Sequence, residues 1–148
     1  MKEKPQKTVL FVCTGNTCRS PMAEVMFSAI IKEDEYLAAS AGLAAFDGDS
    51  ATDSAILAMD ELGLDLRNHR SRRLTQEMAE NADKIITMTH NQKEHLLMHL
   101  PEVANKTISF KDIIGEDIDD PFFLSKDVYL KTAEKIRIGL VKLAQELK

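Results

Sequence analysis

The sequence predicts an α/β fold, a three-layer sandwich in which a central, parallel, four-stranded sheet carries helices on both faces. Short apolar runs alternate along the chain with longer segments whose apolar residues recur at helical spacing. Connections of the strand–helix–strand type make neighbouring strands parallel and place helices over both faces of the sheet. With 148 residues the chain has the usual length of one domain, so we expect residues 1–148 to form a single domain.

The first strands and helix follow this pattern directly. Residues 9–12 are apolar and partly β-branched, which is typical of a buried strand. Residues 21–32 carry apolar side chains at helical spacing, and residues 36–41 form a weaker strand that Gly42 ends. The polar, glycine-containing residues 47–50 then predict a loop. Together these segments predict a strand–helix–strand unit at the start of the fold.

The middle of the chain predicts two helices before the next strand. Apolar residues at helical spacing over 55–62 are followed by Gly63, a favoured residue just past a helix end. Thr75 is expected to cap a short helix that includes Ala82. The run 84–88 is apolar and β-branched and predicts another buried strand of the sheet.

The last third of the chain completes the alternation. Asn91 and Glu94 have capping-box spacing and predict the start of a helix that Pro101 follows. Residues 106–110 predict a short strand, and an Asp-rich loop comes after it. Apolar residues over 129–147 lie along one face of a long final helix.

The composition limits the possible partners. A net charge of −5 and an isoelectric point near 5.4 argue against non-specific nucleic-acid binding. No run is apolar enough to span a bilayer or to serve as a secretory signal, so we expect no membrane partner. Two cysteines are too few for a disulfide framework and indicate a reducing compartment. We therefore expect a cytoplasmic protein, and we expect it to be a monomer.

One short loop carries the strongest chemical signal. Cys13 ends the first strand, Arg19 lies six residues later, and a helix-forming run follows at once. Backbone N–H groups of such a loop converge on one point, where the helix dipole adds positive charge that stabilises a thiolate or an oxyanion. A guanidinium adds a bidentate fork for two phosphoryl oxygens. The loop predicts a phosphate site with its own sulfur nucleophile, formed by Cys13, Thr14, Gly15, Asn16, Thr17, Cys18, Arg19 and Ser20.

A thiolate that attacks phosphorus also needs an acid to protonate the leaving group. The acidic loop near the C-terminal helix offers Asp120, whose backbone is restricted to extended conformations by Pro121. Asp117 and Asp119 are better explained as solvated surface residues. Phe122 is a candidate apolar wall of the substrate slot.

The chain resembles the low-molecular-weight protein tyrosine phosphatase family in two motifs, FVCTGNTCRSPMAE at residues 11–24 and Asp-Pro-Phe at residues 120–122. The resemblance covers essentially the whole chain. It implies a phosphatase that uses no metal and no cofactor, with Cys13 as nucleophile, Arg19 as oxyanion clamp and Asp120 as general acid. It also implies a phosphorylated protein as the partner.

The same resemblance assigns supporting roles around the loop. Asn16 matches the residue that holds the loop in shape through buried amide hydrogen bonds, and Ser20 matches the donor of a hydrogen bond to the thiolate. Ser40 and His69 match positions that support the asparagine side chain. A helix-flanking serine and a surface histidine are alternative explanations for these two.

Two departures from the family pattern bear on the substrate. Tyrosine-specific members usually carry two tyrosines after the Asp-Pro pair, where this chain has Phe122 and Phe123. They also usually carry a bulky aliphatic residue at the position of Thr17, whereas a threonine there resembles the bacterial branch that dephosphorylates arginine. A β-branched residue with a hydroxyl narrows the pocket and offers a polar partner to a planar guanidinium. This favours phosphoarginine over phosphotyrosine, although a harmless variant in a tyrosine phosphatase is the alternative.

Other candidate sites have simpler explanations. Cys18 either condenses with an oxidised Cys13 to a protective disulfide or packs behind the loop as a thiol. His95 and His99 share a helix face but lack a third metal ligand, so a solvated face is expected. The four arginines within residues 67–73 form a basic cluster, which is expected to be solvated surface or, as a minor alternative, to steer an acidic phosphoprotein.

The sequence therefore predicts a two-step phosphatase with a cysteinyl-phosphate intermediate. Three rivals share parts of this pattern. An arsenate reductase would need cysteines beyond Cys18 to relay a disulfide, and a sugar-transport phosphocarrier has no use for Arg19 and Asp120. A catalytically idle phosphate-binding module would not activate Cys13.

Overall fold

A parallel sheet of four strands forms the centre of the molecule. The computed structural model describes residues 6–31, 35–121 and 124–147. The strands are β1 (Lys7–Cys13), β2 (Tyr36–Gly42), β3 (Lys84–Thr87) and β4 (Thr107–Ser109). They lie in the order β2-β1-β3-β4, and every neighbouring pair is parallel. β1 is thus an inner strand, so its C-terminal end lies between two neighbours at the edge where parallel sheets bind ligands.

Helices cover both faces of this sheet, as the sequence predicts. They are α1 (Arg19–Ile30), α2 (Asp53–Glu61), α3 (Gln76–Asn81), α4 (His90–His99), α5 (Phe110–Ile114) and α6 (Lys126–Glu146), with a 3-10 turn at Pro101–Lys106. None of the helices in the described ranges is both long and apolar enough to cross a membrane. The predicted fold class, a parallel four-stranded sheet between two helical layers, is confirmed.

Alternation along β1 divides the core into two parts. Val9 and Phe11 pack on the face that contacts α1, α2 and α6, where the rings of Phe11 and Phe27 meet edge to face at 5.5 Å. Leu10 and Val12 point to the opposite face and join the smaller cluster under α3 and α4. Because side chains of a strand alternate between faces, one apolar run fills both layers of the core. A strand buried on both sides also fixes Cys13 rigidly at its end.

Some element boundaries differ from the sequence predictions. α1 begins at Arg19 rather than at Pro21, because the phosphate loop passes directly into the helix. α4 is capped by Thr89, and Gln92 completes the capping box, so the predicted Asn91–Glu94 box is wrong. The predicted strand 106–110 ends at Ser109, which caps α5 with Asp112. Ser109 therefore turns the chain into a short helix that the sequence analysis missed.

Two further boundaries are shorter than expected. Ala82 is the C-terminal cap of α3 and lies outside its helical turns. The sequence predicts that the first helix extends to Lys32, whereas α1 ends at Ile30. Lys32 lies outside the described residues.

Candidate active site

The loop between β1 and α1 encloses a small cavity. Its volume is about 210 Å³. It is lined by eight residues, all predicted from the sequence: Cys13, Thr14, Gly15, Asn16, Thr17, Cys18, Arg19 and Asp120. No side chain among the described residues caps the N-terminus of α1, so its first N–H groups remain available to an anion. The tertiary structure thus brings Asp120 to a loop more than a hundred positions earlier in the chain.

Cys13 lies at the bottom of this cavity and is 1% exposed. Its Sγ is 2.9 Å from Ser20 Oγ, and it accepts a hydrogen bond of 3.3 Å from the backbone N–H of Asn16. Ser20 Oγ also accepts a bond of 2.8 Å from Asn16 Nδ2, which leaves its own proton to donate to sulfur. Two hydrogen-bond donors are therefore directed at the sulfur of Cys13.

Asn16 holds the loop in its curved shape. Its φ of 57° lies in the left-handed region, which asparagine tolerates better than most residues. The side-chain Nδ2 donates to Ser20 and, over 3.0 Å, to Ser40 Oγ. Its Oδ1 accepts a bond of 2.9 Å from the backbone N–H of Arg72. Because all three partners surround a fully buried amide, they fix the strained backbone at this point.

The predicted supports of Asn16 contact it in different ways. Ser40 contacts the side chain as predicted, and its hydroxyl donates in turn to Glu24 Oε1 over 2.6 Å. His69 Nε2 instead lies 2.8 Å from the backbone carbonyl oxygen of Asn16, so the expectation that it supports the side chain is wrong. The backbone N–H of Arg72, and not His69, binds the side-chain Oδ1 of Asn16.

Arg19 is 5% exposed and approaches the cavity from the start of α1. Its Nη1 donates to the carbonyl oxygen of Ile118 over 3.0 Å, and Nη2 lies 3.8 Å from Asp120 Oδ2. The buried Nε has no hydrogen-bond partner among the residues that the structure describes. A buried N–H without a partner is costly, and a phosphoryl oxygen in the cavity would satisfy it.

Asp120 stands at the mouth of the cavity, with about half of its side chain exposed. Its Oδ1 accepts a bond of 3.6 Å from Cys18 Sγ, and its Oδ2 faces Arg19. Pro121 behind it is buried and anchors the end of the loop. Phe122, the expected wall of the substrate slot, lies outside the described residues together with Phe123.

The second cysteine differs from the first in its surroundings. Burial, followed by the nearby Cys13 and Asp120, raises the pKa of the Cys18 thiol to about 12. Cys18 is therefore a protonated thiol at neutral pH and a poor nucleophile. Both cysteines are free in the structure.

Two residues that the sequence analysis missed support the loop, Gln92 from helix α4 and Gly42 from strand β2. Gln92 Nε2 donates to Thr14 Oγ1 over 3.1 Å, while its Oε1 accepts the N–H groups of Met88 and Thr89. A Cβ on Gly42 would lie 2.7 Å from the carbonyl oxygen of Thr14, so only glycine allows β2 to approach the loop this closely. A glycine at a strand end and a glutamine at a helix start are too common to signal such roles in a sequence.

Comparison with known proteins agrees with this geometry. Residues 8–148 match the family model of the low molecular weight phosphotyrosine protein phosphatases. The chain belongs to this family. It is a cysteine-based phosphatase, and therefore a hydrolase.

Some of the relatives are named arginine phosphatases and others tyrosine phosphatases. The chain is 37% identical to the protein-arginine-phosphatase of Bacillus subtilis, over 95% of this chain and 96% of the relative. It is also similar to the crystal structure of a low molecular weight protein tyrosine phosphatase from T. tengcongensis, at 38% identity, a TM-score of 0.90, and coverage of 95% and 99%. Overall similarity therefore does not separate the two substrates.

A third relative bears on the nucleophile. An arginine phosphatase mutant with a phosphorylated active-site serine superimposes with a TM-score of 0.89 at 36% identity and covers 95% of each chain. Its phosphorylated residue fits a cysteine nucleophile in this chain as well.

Proposed function

We propose that the protein removes phosphate from arginine side chains of phosphorylated proteins. The observation that carries this proposal is Thr17, which lines the cavity between Asn16 and Cys18. Its backbone carbonyl accepts a bond of 2.9 Å from Thr52 N–H, which fixes its place in the loop. Its hydroxyl has no hydrogen-bond partner within the described part of the chain, so it is available to the N–H groups of a guanidinium.

In the first step Cys13 Sγ attacks phosphorus in line, and the bond from phosphorus to the guanidino nitrogen breaks. The loop amides and the Nε and Nη2 groups of Arg19 hold the phosphoryl oxygens, whose charge they stabilise. Asp120 gives its proton to the departing nitrogen, so that arginine leaves as a guanidinium. The sulfur is then bonded to phosphorus and Asp120 is ionised.

In the second step Asp120 acts in the opposite direction. It accepts a proton from water as the water oxygen attacks phosphorus, and the sulfur–phosphorus bond breaks. Inorganic phosphate leaves, and Cys13 returns to a thiolate stabilised by Ser20. Once ionised by the first step, Asp120 can also pair with the guanidinium of the departing arginine, because it stands at the cavity mouth.

Thr17→Ile is expected to shift the preference from phosphoarginine towards phosphotyrosine. The larger aliphatic side chain removes the hydroxyl partner of the guanidinium and presents an apolar surface to an aromatic ring. One pocket contact of this kind is worth roughly 10- to 200-fold in kcat/KM. The measurement is the kcat/KM of both variants on matched phosphoarginine and phosphotyrosine peptides.

Thr17→Val provides the matched control, because valine keeps the β-branch and the volume but not the hydroxyl. If the hydroxyl recognises the guanidinium, this variant also loses phosphoarginine activity. An unchanged ratio of the two activities in Thr17→Ile would show that Thr17 does not set the preference and would remove the basis for the phosphoarginine assignment. A preference of the wild type for phosphotyrosine would support the alternative, which the T. tengcongensis relative favours.

Asp120→Asn is expected to slow dephosphorylation of phosphoarginine by about 10²- to 10⁴-fold, the usual contribution of a general acid. An aryl phosphate whose phenol leaves without protonation should lose much less, because it does not need the acid. Steady-state kinetics on both substrates test this. Asp119→Asn changes an exposed neighbour of the same loop and should retain both activities; equal losses in the two variants would contradict the acid role.

A further inference from the structure

Three of the arginines stand apart from the others. The sequence contains six arginines, and three of these contact carboxylates: Arg19, Arg67 and Arg137. Arg70, Arg72 and Arg73 are exposed and make no ion pair with any residue in the described part of the chain. In a chain with net charge −5, three guanidinium groups without carboxylate partners thus lie within four consecutive positions. We call them the three-arginine surface.

Two of the three guanidinium groups donate to backbone oxygens. Arg70 Nη1 donates to the carbonyl oxygens of His69 and Arg67 over 2.7 and 3.3 Å, and Arg72 Nη2 donates to that of Ser40 over 3.3 Å. The carboxylate of Asp47 accepts the backbone N–H of Arg73 at 2.8 Å and makes no ion pair with its guanidinium in the described part of the chain. A guanidinium has five donors, so each of these groups retains N–H donors for an external carboxylate.

This surface adjoins the active site directly. The backbone N–H of Arg72 bonds to Asn16 Oδ1, and His69 Nε2 contacts the carbonyl oxygen of Asn16. The carbonyl of Arg72 accepts the N–H of Gly42 over 2.8 Å, and Gly42 lies against the phosphate loop. The backbone that carries these side chains therefore contacts the phosphate loop directly at Asn16 and through Gly42.

A shallow groove continues the surface away from the cavity. It has a volume of about 230 Å³ and runs between the segment at Arg73 and helix α4. Its lining residues are Leu43, Arg73, Leu74, His95, Leu96, His99 and Leu100. The N–H of Leu43 bonds to the carbonyl oxygen of Cys13 over 2.9 Å, so this lining residue lies next to the backbone of the phosphate loop. An extended peptide with its phosphorylated residue in the cavity would have flanking residues within reach of this groove.

We propose that the three-arginine surface binds acidic side chains that flank the phosphorylated residue of a protein substrate. Charge complementarity carries the inference, because the net negative chain repels acidic segments elsewhere and attracts them only where unpaired cations cluster. The proposal rests on the proposed function in one respect, that the substrate is a protein. It holds for either phosphorylated residue.

The test compares two phosphopeptides that differ only in flanking residues, glutamates in one and glutamines in the other. An exposed ion pair contributes up to about fivefold, so several pairs should give the wild type roughly a tenfold preference in kcat/KM for the acidic peptide. The preference should decrease as salt is raised from 0.01 to 0.5 M, where the Debye length shortens from about 30 Å to only a few Å. Each peptide is made with phosphoarginine and with phosphotyrosine.

The decisive variant is Arg70→Gln/Arg73→Gln, which leaves Arg72 and its contact with Asn16 in place. It should lose the preference while keeping wild-type kcat on the glutamine peptide. Arg137→Gln, on the far helix α6 and paired with Glu134, is the matched control and should retain the preference. An equal preference in the double variant and the wild type, or none in the wild type, would overturn the proposal.

A binding measurement separates this proposal from the proposed function. The inactive Cys13→Ser protein should bind the acidic peptide more tightly than the neutral one by anisotropy, and Arg70→Gln/Arg73→Gln should remove that difference. If the wild type hydrolyses neither the phosphoarginine peptide nor the phosphotyrosine peptide, that result contradicts the proposed function and leaves the three-arginine surface untouched. Equal binding of both peptides would contradict the three-arginine surface alone.

Discussion

Replacement of Cys13 by serine is expected to lower turnover by at least about 10⁴-fold, as removal of a nucleophile does in other covalent hydrolases. A serine hydroxyl is a far weaker acid than a thiol, and the two hydrogen bonds directed at this position, from Ser20 and from Asn16 N–H, do not ionise it. Steady-state hydrolysis measures the loss. Rapid-quench experiments on the wild type should show a burst of released arginine or phenol that matches the enzyme concentration.

Cys18→Ser is the matched control for this prediction. Because the pKa of Cys18 is raised to about 12, its thiol is protonated and should not carry the phosphoryl group. The Cys18→Ser protein should therefore still form the covalent intermediate at Cys13, which mass spectrometry of the quenched enzyme detects. Full activity of Cys13→Ser would refute the mechanism.

Arg19→Lys is expected to lower kcat/KM by about 10²- to 10³-fold, the usual cost of removing a donor to a developing oxyanion. The arginine donates to Ile118 O with one nitrogen and presents Nε and Nη2 to the cavity. A single ammonium group cannot replace this planar fork. Because the lysine retains the charge, the loss should come from geometry.

Inhibition by inorganic phosphate gives a second measurement for Arg19→Lys, because it reports anion binding without chemistry. The inhibition constant should rise less than kcat/KM falls, since the arginine acts mainly on the transition state. Arg137→Lys changes an exposed, paired arginine and should have no effect on either quantity. Wild-type kcat/KM in Arg19→Lys would contradict the clamp role.

The contacts around Asn16 show how far the sequence could predict the site. The loop from Cys13 to Arg19 is local in sequence, so its residues could be assigned to one cavity before the fold was known. Ser40 was proposed only through resemblance to the family, and the structure places it at the asparagine side chain. The resemblance also predicts that His69 supports the side chain of Asn16, whereas His69 contacts the backbone carbonyl oxygen of Asn16.

Backbone partners account for most of what the sequence analysis missed. The N–H of Arg72 binds Asn16, yet every residue except proline has such a group, so nothing in the sequence marks this one. The same holds for the space at Gly42, which depends on how closely β2 approaches the loop. The sequence predicts a helix that includes Gln92. Because the helix begins at the Thr89 cap, the side chain of Gln92 lies in its first turn and reaches Thr14.

The sequence by itself predicts the fold class, the loop that lines the candidate site and the candidate nucleophile, because each depends on residues close together in the chain. The alternation of short apolar runs with helical segments predicts the parallel sheet, and the spacing of Cys13 and Arg19 predicts the anion site. The sequence also predicts Asp120 as the acid, but only the tertiary structure places it at the mouth of the cavity. Only the structure shows that Ile118 O binds the Arg19 guanidinium and that exposed arginines lie beside the site. These contacts join segments up to about a hundred residues apart, and their distances follow from packing that no local pattern records.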